Sequence, residues 1–265
     1  MPEIEWEGLL NEALFAPGRH AETYIRGHDY SYLNNLRLFL QGVREPTTSF
    51  NGWKRLNRHV TKGSKGYAIL RPITVKLKDQ LDDDGKPVEI TKFKLVNGAF
   101  TYSQTEGEPL PDSLTAPPEW SRDRALGALG ITLARFTETS LNTQGYSYDR
   151  NIAINPVAVY PLKTTWHEIA HVEAGHTTAD AIKDYQQHRG IREFEAETTA
   201  YLGMHELGLD EQMNPEESRA YIQTWLGDTA PPDASIRRVF KLTDTILKAG
   251  YEPLADSNPQ AEGAA

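Results

Sequence analysis

The chain has 265 residues, no cysteine and a formal net charge of −9. That length can bury a full core and can hold two domains, while zero cysteines exclude disulfides and thiolate ligands and leave histidine and carboxylate for any metal. A mean hydropathy of −0.57, with no apolar run near the roughly 18 residues of a membrane span, excludes a membrane-embedded role.

In chain order, the opening Met1-Pro2-Glu3-Ile4-Glu5-Trp6-Glu7 is acidic and has no apolar signal core, so the cytoplasm is the expected location. Residues 1–30 read as a helix carrying Trp6, Leu9, Leu10, Leu14 and Phe15, then a loop at Pro17-Gly18. Residues 31–43 read as a second helix with Leu33, Leu36, Phe39, Leu40 and Val43 on one stripe,. The glycines flanking Lys65 in Lys62-Gly63-Ser64-Lys65-Gly66 predict a tight basic loop,. A strand follows from Tyr67 to Lys78, then a turn at Asp82-Asp83-Asp84-Gly85 and a second strand from Val88 to about Tyr102,.

Charge is unevenly spread over this half. Between Arg37 and Lys78 there are ten basic residues and one acidic residue, Glu45. Basic side chains interleaved with Phe50, Trp53 and Tyr67 are what single-stranded nucleic acid requires, cations tracking phosphates and aromatic faces stacking bases. The candidates for that role are Trp53, Lys54, Arg55, Arg58, Lys62, Lys65 and Arg71. The alternative is a core tryptophan beside a solvated lysine face.

Four prolines within residues 106–120 predict an extended linker and a domain boundary,. The division is residues 1–108, a linker at 109–120, a second domain at 121–250, and a small, polar tail at 251–265 expected to lack structure. Ser121 to Phe136 reads as a helix with Leu126, Leu129, Leu133 and Phe136 inward, and Tyr146 to Pro156 reads as strands,. Such a strand could hold an extended peptide at its edge. Helices are expected at 161–176, 192–202, 214–225 and 233–248, and the whole is an α+β protein.

The helix at 161–176 contains His167-Glu168-Ile169-Ala170-His171, an H-E-x-x-H. Positions four apart share a helix face, so two imidazoles can chelate one ion, usually zinc, with manganese the other candidate. Glu168 then serves as general base toward a metal-activated water. A third ligand is expected downstream. In Arg192-Glu193-Phe194-Glu195-Ala196-Glu197, Glu193 and Glu197 share a face while Glu195 points nearly the opposite way. Glu193 is assigned as ligand and Glu197 as the acceptor of a ligand's outer N–H. His176 competes as ligand, although it falls five residues after His171 and misses the metzincin spacing of six. Tyr201, His176 and His188 are the candidates for stabilising an oxyanion.

Taken together, these segments resemble a known family. Tyr30-Ser31-Tyr32-Leu33-Asn34-Asn35 and the run Gly52 to Leu70 look like the N-terminal single-stranded-DNA-binding domain of ArdC-type antirestriction proteins. Ala99-Phe100-Thr101-Tyr102-Ser103-Gln104-Thr105-Glu106-Gly107, followed by Pro109-Leu110-Pro111, is similar to the phrase that closes that domain. Asn57 stands where the family often has glycine before the arginine. The C-terminal half resembles a zincin-type metallopeptidase domain related to the ImmA/IrrE peptidases. The resemblance implies metal ligands His167, His171 and Glu193 with Glu197 behind them, and single-stranded DNA and an unidentified protein or peptide as partners. It also implies a rival function, in which the protein shields incoming plasmid or phage DNA from restriction without catalysis and the metal is structural or vestigial.

Overall fold

The computed structural model describes residues 4–15, 30–81, 85–115, 119–138, 142–178, 185–226 and 231–252. The fold is α+β, with two compact units. Of the described residues, 30–115 form one unit, and 4–15 with 119–252 form the other. The first helix, α1 (Trp6–Phe15), thus belongs with the C-terminal unit. The expected tail lies outside the described residues from 253 onward.

In the N-terminal unit, α2 (Tyr32–Leu40) starts at Ser31, whose hydroxyl accepts from the Asn34 amide,. Then come β1 (Thr47–Ser49), α3 (Phe50–Arg55), β2 (Arg58–Val60), β3 (Tyr67–Leu81), β4 (Pro87–Thr101), β5 (Thr105–Gly107) and the single turn α4 (Asp112–Thr115). One sheet has the order β1-β4-β3, and β2 pairs with β5. The long β3–β4 hairpin matches the expected pair of strands; of its predicted turn only Gly85, at φ +74°, is described. The stretch read as an extended linker contributes β5 residues 106–107 and α4.

The outer edge of β3 is closed by side chains. Asn34 donates to the Leu70 carbonyl (2.9 Å) and accepts from its amide (2.8 Å), and Gln41 does the same to Ala68 (2.8 and 2.9 Å). Two amides seven residues apart on and just after α2 therefore imitate a neighbouring strand. At the next outward position stands Pro72, which has no N–H to satisfy,. These are standard means of blunting a sheet edge.

The C-terminal unit adds α5 (Arg122–Leu129), β6 (Thr132–Leu133), β7 (Gly145–Tyr148), β8 (Asn151–Ile154), α6 (Pro161–Glu173), α7 (Tyr185–Glu206), α8 (Pro215–Leu226) and α9 (Asp233–Gly250). The sheet order is β6-β8-β7, so β7 is an edge strand, antiparallel to β8. The helix expected over 121–136 stops at Leu129. Gly130 adopts φ +63° and the Ile131 amide returns to the Leu126 carbonyl (2.9 Å), a glycine stop that outweighs the apolar spacing. Leu133 consequently lies on β6, not on a helix.

Candidate metal centre

Helix α6 begins with Pro161 in its first turn, where a missing N–H costs nothing,. It buries Thr165, Trp166, Glu168, Ile169, Ala170, His171 and Val172. Trp166 is fully buried, stacks on Trp120 at 5.2 Å, and occupies the space above Gly203 of α7. That glycine lets α7 lie close along α6, which brings the two motif-bearing helices together.

The result is a cluster of three donor atoms. His167 Nε2 lies 3.1 Å from His171 Nε2, and Glu193 Oε2 lies 3.4 and 3.7 Å from them respectively. Among the described residues this is the one such group of histidine and carboxylate ligands. Donors about 2.0–2.1 Å from a tetrahedral ion stand about 3.3 Å apart, so the set fits a divalent cation with no rearrangement. The same spacing suits neighbouring positions around a six-coordinate ion.

Each imidazole is braced on its far side. His167 Nδ1 meets Glu197 Oε2 at 3.1 Å, and the other Glu197 oxygen meets Lys163 Nζ at 2.6 Å. His171 Nδ1 meets His176 Nδ1 at 2.9 Å; His176 Nε2 meets Glu195 Oε2 at 3.1 Å, which is also 3.1 Å from Arg238 Nη1. His167 thus leads through Glu197 to Lys163, and His171 leads through His176 and Glu195 to Arg238.

These contacts set the charge states. Burial by itself would lower the His167 pKa, but hydrogen bonds to Glu193 and Glu197 and the charge of Glu168 outweigh it and hold the imidazolium to about 10. For Glu193, burial pushes up, yet hydrogen bonds from His167 and His171 keep it well below the usual carboxylate range. Glu197 is likewise held at about 2: its burial is overcome by His167 and Lys163. The carboxylates around His167 thus favour its charged form,.

Glu168 is not one of the clustered donors. Its Oε2 accepts from the Ser147 hydroxyl of β7 at 2.7 Å. Glu168 and His167 line a cleft of about 750 Å³ with Gly145, Val159, Tyr160, Lys163 and Tyr221. Gly145 has a structural role, since a Cβ there would lie 2.7 Å from Thr164 and 3.3 Å from Glu168.

His167, His171 and Glu193 therefore lie together, with Glu197 beside His167. His176 is not in the donor cluster but behind His171, and it is buried. Tyr201 is also corrected: its hydroxyl donates to the Leu14 carbonyl and accepts from Arg219, both at 2.9 Å, in the core. Its hydroxyl is engaged by these two partners rather than turned toward an oxyanion. The His188 side chain lies outside the described residues.

Sequence reasoning missed Ser147, Lys163, Glu195 and Arg238. Lys163 was findable, because it stands four residues before His167 on the same helical stripe,. Glu195 carried no signal, because its partners come from other segments.

The proposed nucleic-acid residues divide. Trp53 is fully buried and its indole N–H donates to the Phe100 carbonyl at 2.7 Å, so it offers no face to a base. Arg58 is buried too, donating to Thr105 and to the Gly107 and Glu108 carbonyls and lying 4.0 Å over the Tyr102 ring. It locks β2 to β5. Lys54, Arg55, Lys62, Lys65 and Arg71 are exposed. The Lys62–Lys65 loop is shaped as its glycines require: Gly63 has φ +93°, and a Cβ at Gly66 would lie 2.8 Å from the Asn97 carbonyl oxygen. Asn57, at φ +56°, adopts the left-handed conformation that glycine favours and asparagine tolerates,.

Comparison with known proteins yields no matching protein-family model and no matching curated sequence. Among solved structures the chain is similar to the metal-free antirestriction protein ArdC from plasmid R388, at 21% identity and a TM-score of 0.51, covering 93% of this chain and 95% of that one. The Mn(II)-bound structure of the same protein is similar at 19% identity and a TM-score of 0.46, with the same coverage. The chain shares the ArdC fold.

Proposed function

We propose that this chain is an ArdC-type antirestriction protein whose C-terminal unit is a metal-dependent peptidase and whose N-terminal unit binds single-stranded DNA. The observation that carries the enzymatic half is the convergence of His167 Nε2, His171 Nε2 and Glu193 Oε2 within one cation's reach, with Glu168 beside His167 on the wall of a cleft. A divalent cation there supplies Lewis acidity toward water and a carbonyl oxygen, zinc and manganese both being compatible with the donors.

The chain's own groups supply the rest. Glu168, steadied by the Ser147 hydroxyl, accepts a proton from the attacking water and delivers it to the departing amine. Edge strand β7 presents a peptide-docking rim. Its pairing with β8 and the Asn155 amide bond to the Gln144 carbonyl place the backbone groups of Gly145 and Ser147 on the outer side, where an extended peptide can add.

The DNA-binding half is supported by the exposed cations Lys54, Arg55, Lys62, Lys65 and Arg71, and the antirestriction reading by the fold likeness to ArdC. The decisive experiment measures metal content of the purified protein and of His167→Ala, followed by proteolysis assays of Glu168→Gln. Stoichiometric metal lost in His167→Ala, with hydrolysis lost in Glu168→Gln, is expected. Metal retained in His167→Ala would overturn the site. Antirestriction that persists in Glu168→Gln and fails after charge removal at Lys62 and Lys65 would favour DNA shielding without catalysis.

A further inference from the structure

The end of α6 is built so that His176 must meet His171. Gly175 adopts φ +75°, its amide bonds to the Val172 carbonyl at 3.0 Å, and the His176 amide bonds to the His171 carbonyl at 3.0 Å. This is the Schellman arrangement, in which the second residue past the helix end packs against the residue five before it. That packing contact is usually apolar. Here it is a hydrogen bond between two ring nitrogens, Nδ1 to Nδ1.

We propose that His176 is a positioning residue for the metal centre, fixing His171 as an Nε2 ligand, with Glu195 and Arg238 holding His176 in turn. The inference rests on the metal reading above. Proton placement allows one solution. His171 must offer the Nε2 lone pair to the cation, so its Nδ1 carries the hydrogen and donates to His176. His176 accepts at Nδ1 and therefore carries its own hydrogen on Nε2, which donates to Glu195 Oε2. Were the His176 hydrogen on Nδ1 instead, two N–H groups would confront each other and a lone pair would face a carboxylate.

Burial gives the arrangement consequence: His176 is 7% exposed and Glu195 1%, so water cannot replace either partner. Arg238 and the Ser235 hydroxyl engage Glu195 from α9, tying the last described helix to the ligand geometry.

The test is competition of the metal-free protein against a chromophoric chelator for Zn(II), using wild type, His176→Phe and His176→Gln. The phenylalanine variant is expected to bind zinc about 10–100-fold more weakly, as removal of a ligand's outer partner does. The glutamine variant, which restores a carbonyl acceptor and an N–H donor, recovers part of the loss. Equal affinity in all three overturns the proposal while leaving the metal centre intact; a wild type that takes no zinc overturns both. Should His176→Phe fail to fold, ¹⁵N NMR of the zinc-loaded wild type decides. Hydrogens on His171 Nδ1 and His176 Nε2 are expected, and a hydrogen on His176 Nδ1 rejects the assignment.

Discussion

A Cβ on Gly203 would lie 2.3 Å from Cζ3 of Trp166, so the indole occupies the volume a side chain at 203 would need. Trp166 precedes the candidate ligand His167 on α6, and Gly203 follows Glu193 and Glu197 on α7. The glycine therefore sets the separation of the two helices that share the candidate metal site. Gly203→Ala is expected to destabilise the protein by about 1–3 kcal/mol, the usual cost of overpacking, and to weaken Zn(II) binding. Denaturant melts and a zinc titration check it; unchanged affinity in a destabilised variant would detach the helix spacing from the donor geometry.

Glu168→Gln removes the proposed general base without touching an atom of the donor cluster. Zinc stoichiometry should match wild type, and any peptide hydrolysis should fall by at least about 100-fold. Ser147→Ala, which takes away the hydroxyl holding that carboxylate, should cause a smaller loss. Wild-type hydrolysis by the glutamine variant would reject the mechanism.

The metal-free protein should respond to pH in two places. The His167 pKa is raised to about 10 in the folded state, so the stabilisation it contributes is full below its ordinary value near 6.5 and is lost as pH rises through about 10. Glu197 is depressed to about 2; its contribution is present above the ordinary carboxylate range and lost as pH falls toward about 2. Zinc must displace the His167 proton, so binding near neutrality should release a proton and tighten with rising pH. Calorimetry in buffers of different ionisation enthalpy counts that proton. Binding without proton release would contradict the assigned ligand.

Single-stranded DNA binding should weaken steeply with salt, and removal of Lys62 and Lys65 should flatten the log–log slope by about 1.4, at about 0.7 per lost phosphate contact. Trp53→Ala should act differently. Its buried indole makes the change a core truncation costing about 3–5 kcal/mol, visible in a thermal melt. Retention of wild-type stability with selective loss of DNA affinity would return Trp53 to a base-stacking role.

Much of the candidate site was legible because it is local. His167 and His171 share a face by helical period alone, and Glu193 and Glu197 share one by the same rule; their convergence needed only that the two helices meet. The β3–β4 hairpin was equally readable from its alternation and its glycine-bearing turn. Tertiary structure decided what local pattern cannot encode. Trp53 and Arg58 look like a nucleic-acid surface in the sequence, yet the indole found a carbonyl at Phe100 and the guanidinium found three carbonyls and a hydroxyl near Thr105–Glu108. Burial satisfied them more fully than solvent would. Glu195 shows the converse. Helical spacing turned it away from the ligands, and only the Schellman turn at Gly175 and the packing of α9 gave that outward face a histidine and an arginine to hold. Periodicity fixes which way a side chain points along its own element; what waits there is set by segments distant in the chain.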